Sequence, residues 1–262
     1  MFRVFVFSWQ MAILASTALA ADDPLARARL LYNQRQFDAA VSAAEQARLT
    51  PARADAADLV AARAYLERFR NSAASDDLTN ARERLRRIDP QHLDPRARVE
   101  YIVGLGETLF FDGAFGAAAT VFDSVLNGGA ALTADARERV LDWWATSIDR
   151  DGRPRPEIER QSAYQRIRLR MEENLASHPG SGAAAYWLAA AARAQGDLQG
   201  AWDAAQAGWV RAPLAAERGD ALRADLDLLV LRGIVPDRAR AGAQTADTLR
   251  LQWEQFKERW KR

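Results

Sequence analysis

The chain has 262 residues, room for one large domain or two small ones and for a sizeable core. Lys+Arg total 36 against Asp+Glu 35, so the basic excess that phosphate contacts require is missing and nucleic acid is not an expected partner. The absence of cysteine excludes disulfides, thiolate metal sites, a cysteine nucleophile and a lipid-modified N-terminal cysteine.

The first element in chain order reads as an address rather than as structure. Within residues 1–20, Arg3 supplies a short positive start, and Val4 to Leu14 is apolar apart from Ser8 and Gln10. Ala18-Leu19-Ala20 gives a small-x-small cleavage pattern before Ala21, and Asp22-Asp23-Pro24 ends the apolar run. The run is shorter than the ~20 apolar residues that a membrane-spanning helix needs. Without a twin-arginine pair it predicts a cleavable signal peptide read by the general secretory route, and a periplasmic or extracellular mature chain. Cations are almost all arginine, lysine occurring only at Lys257 and Lys261; with the high alanine content this coding bias suggests a bacterial source.

From residue 21 onward the periodicity is helical. Runs of Val, Ile and Thr at period two are hard to find, and an alanine-rich interior suits closely approaching helices. Three segments share one pattern: 25–51 with Ala28, Leu31, Phe37, Ala40, Ala44 and Ala47; 99–127 with Leu105, Gly106, Leu109, Gly113, Phe115, Ala118, Phe122 and Val125; 183–213 with Leu188, Ala189, Gly196, Leu198, Ala201, Ala205, Gly208 and Pro213. In each, an apolar helix ends in a short turn (Arg35-Gln36, Asp112-Gly113, Gly196-Asp197), a bulky apolar residue follows, and a small residue three positions later opens a second helix. Residues 53–69 and 76–88 form a further expected hairpin, helix 133–149 carries Val140, Trp143, Trp144 and Ile148, and a helix of about twenty residues follows Pro156. Pro51, Pro95 and Pro156 are placed just inside helix starts, with Thr50 and Asp94 as N-caps. Residues 149–157 read as the most exposed connection and the hinge candidate.

The spacing of Leu105-Gly106, Gly113, Phe115, Ala118 and Phe122, and then of Gly196-Asp197-Leu198, Ala201 and Pro213, resembles the tetratricopeptide repeat. The 25–51 copy departs from it by placing Ala28 where the glycine belongs. The resemblance implies an all-α fold over 21–262, a right-handed superhelical stack of helical hairpins (an α-solenoid), with about a dozen helices. It also implies a non-catalytic scaffold that docks a protein or peptide of the cell envelope on its concave face. Family members contact ligands from the first helix of each repeat. That stripe corresponds here to Arg29, Tyr32 and Asn33, to Glu100, Glu107 and Phe110, and to Tyr186 and Arg193. The subset that clamps a terminal carboxylate uses Lys and Asn at positions matching Leu25, Arg29, Val103 and Glu107, which depart from it.

Catalytic, metal and cofactor readings find no set of residues to stand on. His92 and His178 each sit near a proline at a helix end, without a second ligand one turn away. Gly104-x-Gly106 lies inside a helix with no strand before it, and no Gly-x-Ser-x-Gly elbow occurs. The adjacent carboxylates Asp76-Asp77 and Glu172-Glu173 read as surface charge. No cofactor, metal or enzymatic activity is therefore expected. Of Trp143 and Trp144, about 100° apart on a helix, one is expected to pack and the other to lie in a seam or on the surface. The chain closes with helix 245–261, where Leu249, Trp253, Phe256 and Trp260 form one apolar stripe. Two readings remain open: the stripe caps the last hairpin, or it anchors a peripheral protein in a membrane surface.

Overall fold

The computed structural model describes residues 23–128, 132–242 and 244–260; the expected signal peptide at 1–20 lies outside the described residues. Among the described residues there is no strand, and the helices pack in neighbouring pairs as in an α-solenoid. Two compact units divide the chain, residues 1–131 and 132–262.

In the first unit α1 (Pro24–Asn33), α2 (Phe37–Arg48), α3 (Ala54–Ser72), α4 (Ser75–Arg87), α5 (Pro95–Phe111) and α6 (Phe115–Asn127) form three consecutive hairpins. Each helix packs on its sequence neighbour, and the leading helices α1, α3 and α5 also pack on one another in a row. One expected helix start matches its sequence signal: Asp94 accepts the Ala97 N–H at 2.8 Å with Pro95 in the first turn, while Asp23, read from the sequence as part of the cleavage junction, caps α1 by accepting the Leu25 N–H at 3.0 Å. Two do not. Thr50 makes no capping hydrogen bond and Pro51 opens a short 3-10 turn; Pro156 stands before its helix instead of inside it.

The three segments with a shared pattern are hairpins closed by one turn geometry. Arg35, Gly113 and Gly196 have φ of 60°, 78° and 79°, the left-handed conformation that terminates a helix. In each turn that residue's N–H donates to the carbonyl three back, and the next N–H donates to the carbonyl five back: Gln36 to Leu31, Ala114 to Leu109, Asp197 to Ala192. The second helix then begins at Phe37, Phe115 and Leu198. Small residues recur twelve positions apart, Ala28 and Ala40, Gly106 and Ala118, Ala189 and Ala201, and all five alanines are fully buried. A Cβ on Gly106 would lie 2.6 Å from the Phe122 ring, so the α5–α6 approach requires glycine there. The α3–α4 hairpin turns instead at Ala73 (φ 55°), and its buried small residue is Ala81, six positions after the start of the second helix at Ser75.

The second unit holds α7 (Ala134–Gly152), α8 (Glu157–Ser177), α9 (Gly182–Ala194) and α10 (Leu198–Arg211). They are followed by α11 (Gly219–Leu229), a π turn (Val230–Ile234), α12 (Val235–Ala241) and α13 (Ala246–Trp260). Here too the leading helices α7, α9 and α11 pack in a row. Within 149–157 the helix persists to Gly152, so the connection shrinks to 153–156. Its base is tied down: Tyr164 donates to buried Asp149 at 2.9 Å, and Arg153 pairs with the same carboxylate. Trp144 is fully buried while Trp143 is half-buried, dividing the pair as their angular separation requires.

Candidate functional site

Four of the six stripe residues of the first unit come together where α1, α3 and α5 lie side by side. Arg29, Tyr32 and Asn33 of α1 line one wall of a groove of about 270 Å³. Leu59, Val60 and Arg63 of α3 form its floor, and Arg96, Ala97 and Glu100 of α5 form the other wall. The placement follows from helix geometry: Arg29, Tyr32 and Asn33 are three and four residues apart, as are Arg96 and Glu100, so each set shares a face.

Electrostatics organise the groove. Arg63 donates to Glu100 at 2.6 Å, and its guanidinium sits 4.4 Å from the centroid of the Tyr32 ring. Arg96 pairs with the same Glu100 at 3.5 Å. Asp94 is occupied at the start of α5, accepting the Ala97 N–H. The side chains of Arg29 and Asn33 are exposed and have no hydrogen-bond or ion-pair partner among the described residues. A larger hollow, about 690 Å³, runs along α8 beside exposed Ile158 and Leu169, but it is lined almost entirely by that one helix. The smaller groove is the better candidate because three helices build it and four of the stripe residues line it.

The remaining stripe residues are placed elsewhere. Phe110 is 8% exposed and packs edge-on against Phe115 at 5.2 Å, as Tyr32 packs against Phe37 at 5.8 Å. Phe110, Tyr32 and Arg193 occupy the same position, three residues before the left-handed turn residue. Glu107, half-buried on α5, is not among the residues lining the groove. In the second unit Arg193 donates to Asp237 at 2.7 Å and lies across the π turn, where a Cβ on Gly233 would meet its Nε at 2.8 Å. Half-buried Tyr186 packs edge-on against Trp187, and burial together with the nearby charges of Asp225, Asp142 and Asp149 pushes its pKa up.

Arg63, Asp94 and Arg96 are groove residues that the sequence pattern does not reach. α3 and α4 turn at Ala73 with their small residue out of step, so α3 escapes the repeat alignment that would have marked Arg63.

The C-terminal stripe is turned inward. Leu249 and Trp253 are fully buried and Phe256 is 7% exposed, while Trp260 is 45% exposed. Trp253 meets Trp202 at 5.7 Å and Trp209 at 5.6 Å and stacks on Phe256 at 5.5 Å. Asp227 of α11 accepts from Trp253 Nε1 at 2.7 Å and from Lys257 Nζ at 2.8 Å, fastening α13 down. No helix among the described residues is long and apolar enough to cross a membrane.

The histidines sit at the helix ends that the sequence suggested. His92 Nδ1 lies 2.7 Å from Asp55, which also accepts the Asp89 N–H, and this hydrogen bond raises the imidazole pKa. His178 Nδ1 meets the Ser177 hydroxyl at 2.9 Å. Among the described residues no group of three His, Cys, Asp or Glu side chains is placed to hold a metal ion. The carboxylate pair at 76–77 is not all surface charge: Asp77 is buried and paired with Arg68 at 2.9 Å.

The chain matches no protein-family model, and no curated protein or solved structure matches it at a significant level. Its class rests on its own geometry: an all-helical protein of stacked hairpins with a charged groove across three leading helices.

Proposed function

We propose that this chain is an exported, non-catalytic interaction module of the tetratricopeptide type that docks an extended segment of a cell-envelope protein. The observation that carries the reading is the groove, where the leading helices of three successive hairpins converge and bring Arg29, Tyr32, Asn33 and Glu100 to one surface. The identical turns at Arg35, Gly113 and Gly196 and the twelve-residue spacing of small residues support a repeat of this type, with a right-handed turn from hairpin to hairpin within each unit. The leader at 1–20 supports export through the general secretory route to the periplasm or the medium. Burial of Leu249, Trp253 and Phe256 supports a capping role for α13, because an interfacial membrane helix needs that stripe facing outward.

A photo-crosslinking amino acid at position 33, compared with one at exposed Arg86 on α4, tests the docking face in envelope extract. A discrete adduct from 33 that is absent from 86 and lost in an Arg29→Glu, Arg96→Glu variant is the expected result. Equal adducts from both positions, or none from 33, would reject the groove. Export is checked by cell fractionation and N-terminal sequencing, with a mature chain expected to begin at Ala21.

A further inference from the structure

Resting on that reading of the groove, we infer that it selects segments carrying an acidic side chain, whose carboxylate is received by Arg29 and Asn33. Three arginines line the groove, Arg29, Arg63 and Arg96, against the two carboxylates Asp94 and Glu100. Of the two, only Glu100 is paired with cations; Asp94 spends one oxygen on a backbone N–H. Asp94 caps α5 through the Ala97 N–H, and Glu100 lies between Arg63 at 2.6 Å and Arg96 at 3.5 Å. The capacity left over is therefore mostly donor capacity. Arg29 offers a guanidinium fork without a partner among the described residues, and Asn33, one turn along the same face of α1, offers an amide N–H₂. A guanidinium fork takes a carboxylate through two parallel N–H···O bonds, a geometry that a neutral amide cannot return with charge.

Size narrows the ligand further. About 270 Å³ lies below the ~300–1,000 Å³ of pockets that enclose small molecules, and it suits one or two side chains of a segment passing across the groove. The side of Tyr32 that Arg63 covers is already occupied, so an incoming cation has no open aromatic face there. A basic segment would also meet three arginines against two carboxylates, of which Glu100 is already paired with Arg63 and Arg96, and is disfavoured.

The test uses the full chain, immobilised, and pools of degenerate heptapeptides with amidated C-termini. Two pools fix Asp or Glu at the centre, two fix Asn or Gln, and a fifth has no internal acid but a free C-terminal carboxylate. Retention of the Asp and Glu pools at least tenfold above their amide counterparts, abolished by Arg29→Glu and reduced by Arg29→Ala and by Asn33→Ala, is the expected result. Arg29 and Asn33 are exposed, so unchanged melting curves verify that these variants fold. Equal retention of acid and amide pools would overturn the inference while leaving the docking face standing. Preference for the free-carboxylate pool would overturn it in favour of chain-end capture. Persistence of the acid preference in Arg29→Glu would overturn the assignment to this groove. Retention of no pool would remove both the inference and the docking face beneath it.

Discussion

Gly106 carries the closest approach between α5 and α6, and the fully buried Phe122 ring leaves no space beside it. Gly106→Ala is expected to destabilise by about 1–3 kcal/mol through overpacking, read as a shift in urea midpoint at constant slope. Asp58 behaves differently. It is 4% exposed and accepts from Arg84 at 2.8 Å, and Arg84 also pairs with Glu45; the two carboxylates raise the arginine pKa against the cost of its burial. Asp58→Ala strands part of that charge, at an expected cost of about 3–5 kcal/mol, whereas exposed Asp76→Ala is expected to fall within about 0.5 kcal/mol of wild type. Tyr164 gives a pH signature: burial and the bond to Asp149 push its pKa up to about 12 from 10.0. A raised folded pKa means the contribution is complete below pH 10 and is lost as pH rises from 10 towards 12. Wild type is therefore expected to lose more stability across that interval than Tyr164→Phe, measured by chemical denaturation at each pH. Of these residues only Gly106 was legible in the sequence, because a small residue at a fixed offset from another leaves a pattern. Asp58 and Asp77 look like any surface acid until their arginines, brought from other turns and helices, are in place.

Elements were read more successfully than side chains. The hairpins at 25–51, 99–127 and 183–213 emerge with helix ends within a few residues of those expected, since turn residue, bulky opener and small residue all repeat. The boundaries that failed are those where proline invited a helix start, at Pro51 and Pro156, and the 149–157 connection, whose Asp and Arg residues look like a loop but continue α7 to Gly152. α13 is the element whose role the sequence left open, because an amphipathic stripe does not say which surface it covers. Its burial against Trp202 and Trp209 makes Trp253→Ala an expected loss of about 3–5 kcal/mol, measured by thermal or urea melting. If the stripe served a membrane surface instead, the substitution would leave the melt in place and reduce flotation with anionic liposomes.

At the scale of the whole molecule, each compact unit owns a buried core, the first around Leu59, Leu66, Leu85 and Phe122, the second around Trp144, Ile167, Met171 and Trp253. Chains 21–131 and 132–262 made separately are expected to melt cooperatively, each with a helical circular-dichroism spectrum; a fragment that stays unfolded until mixed with the other would reject their independence. The division at 131 was not legible because hairpin periodicity runs on either side of it, although Phe37, Phe69, Phe110, Phe111, Phe115 and Phe122 give way after it to Trp143, Trp144, Trp187, Trp202, Trp209, Trp253 and Trp260. The groove was legible in half: α1 and α5 follow the pattern that named Arg29, Tyr32, Asn33 and Glu100, whereas α3 supplies Arg63 from outside it. The hairpin itself asks for very little. In three of the hairpins one left-handed residue, which can be arginine, and one pair of small side chains twelve positions apart recur, and exposed positions away from such features tolerate substitution at little cost. Selection for shape alone therefore polices few positions, so descendants of such a chain can keep their architecture long after the written likeness between them has worn away.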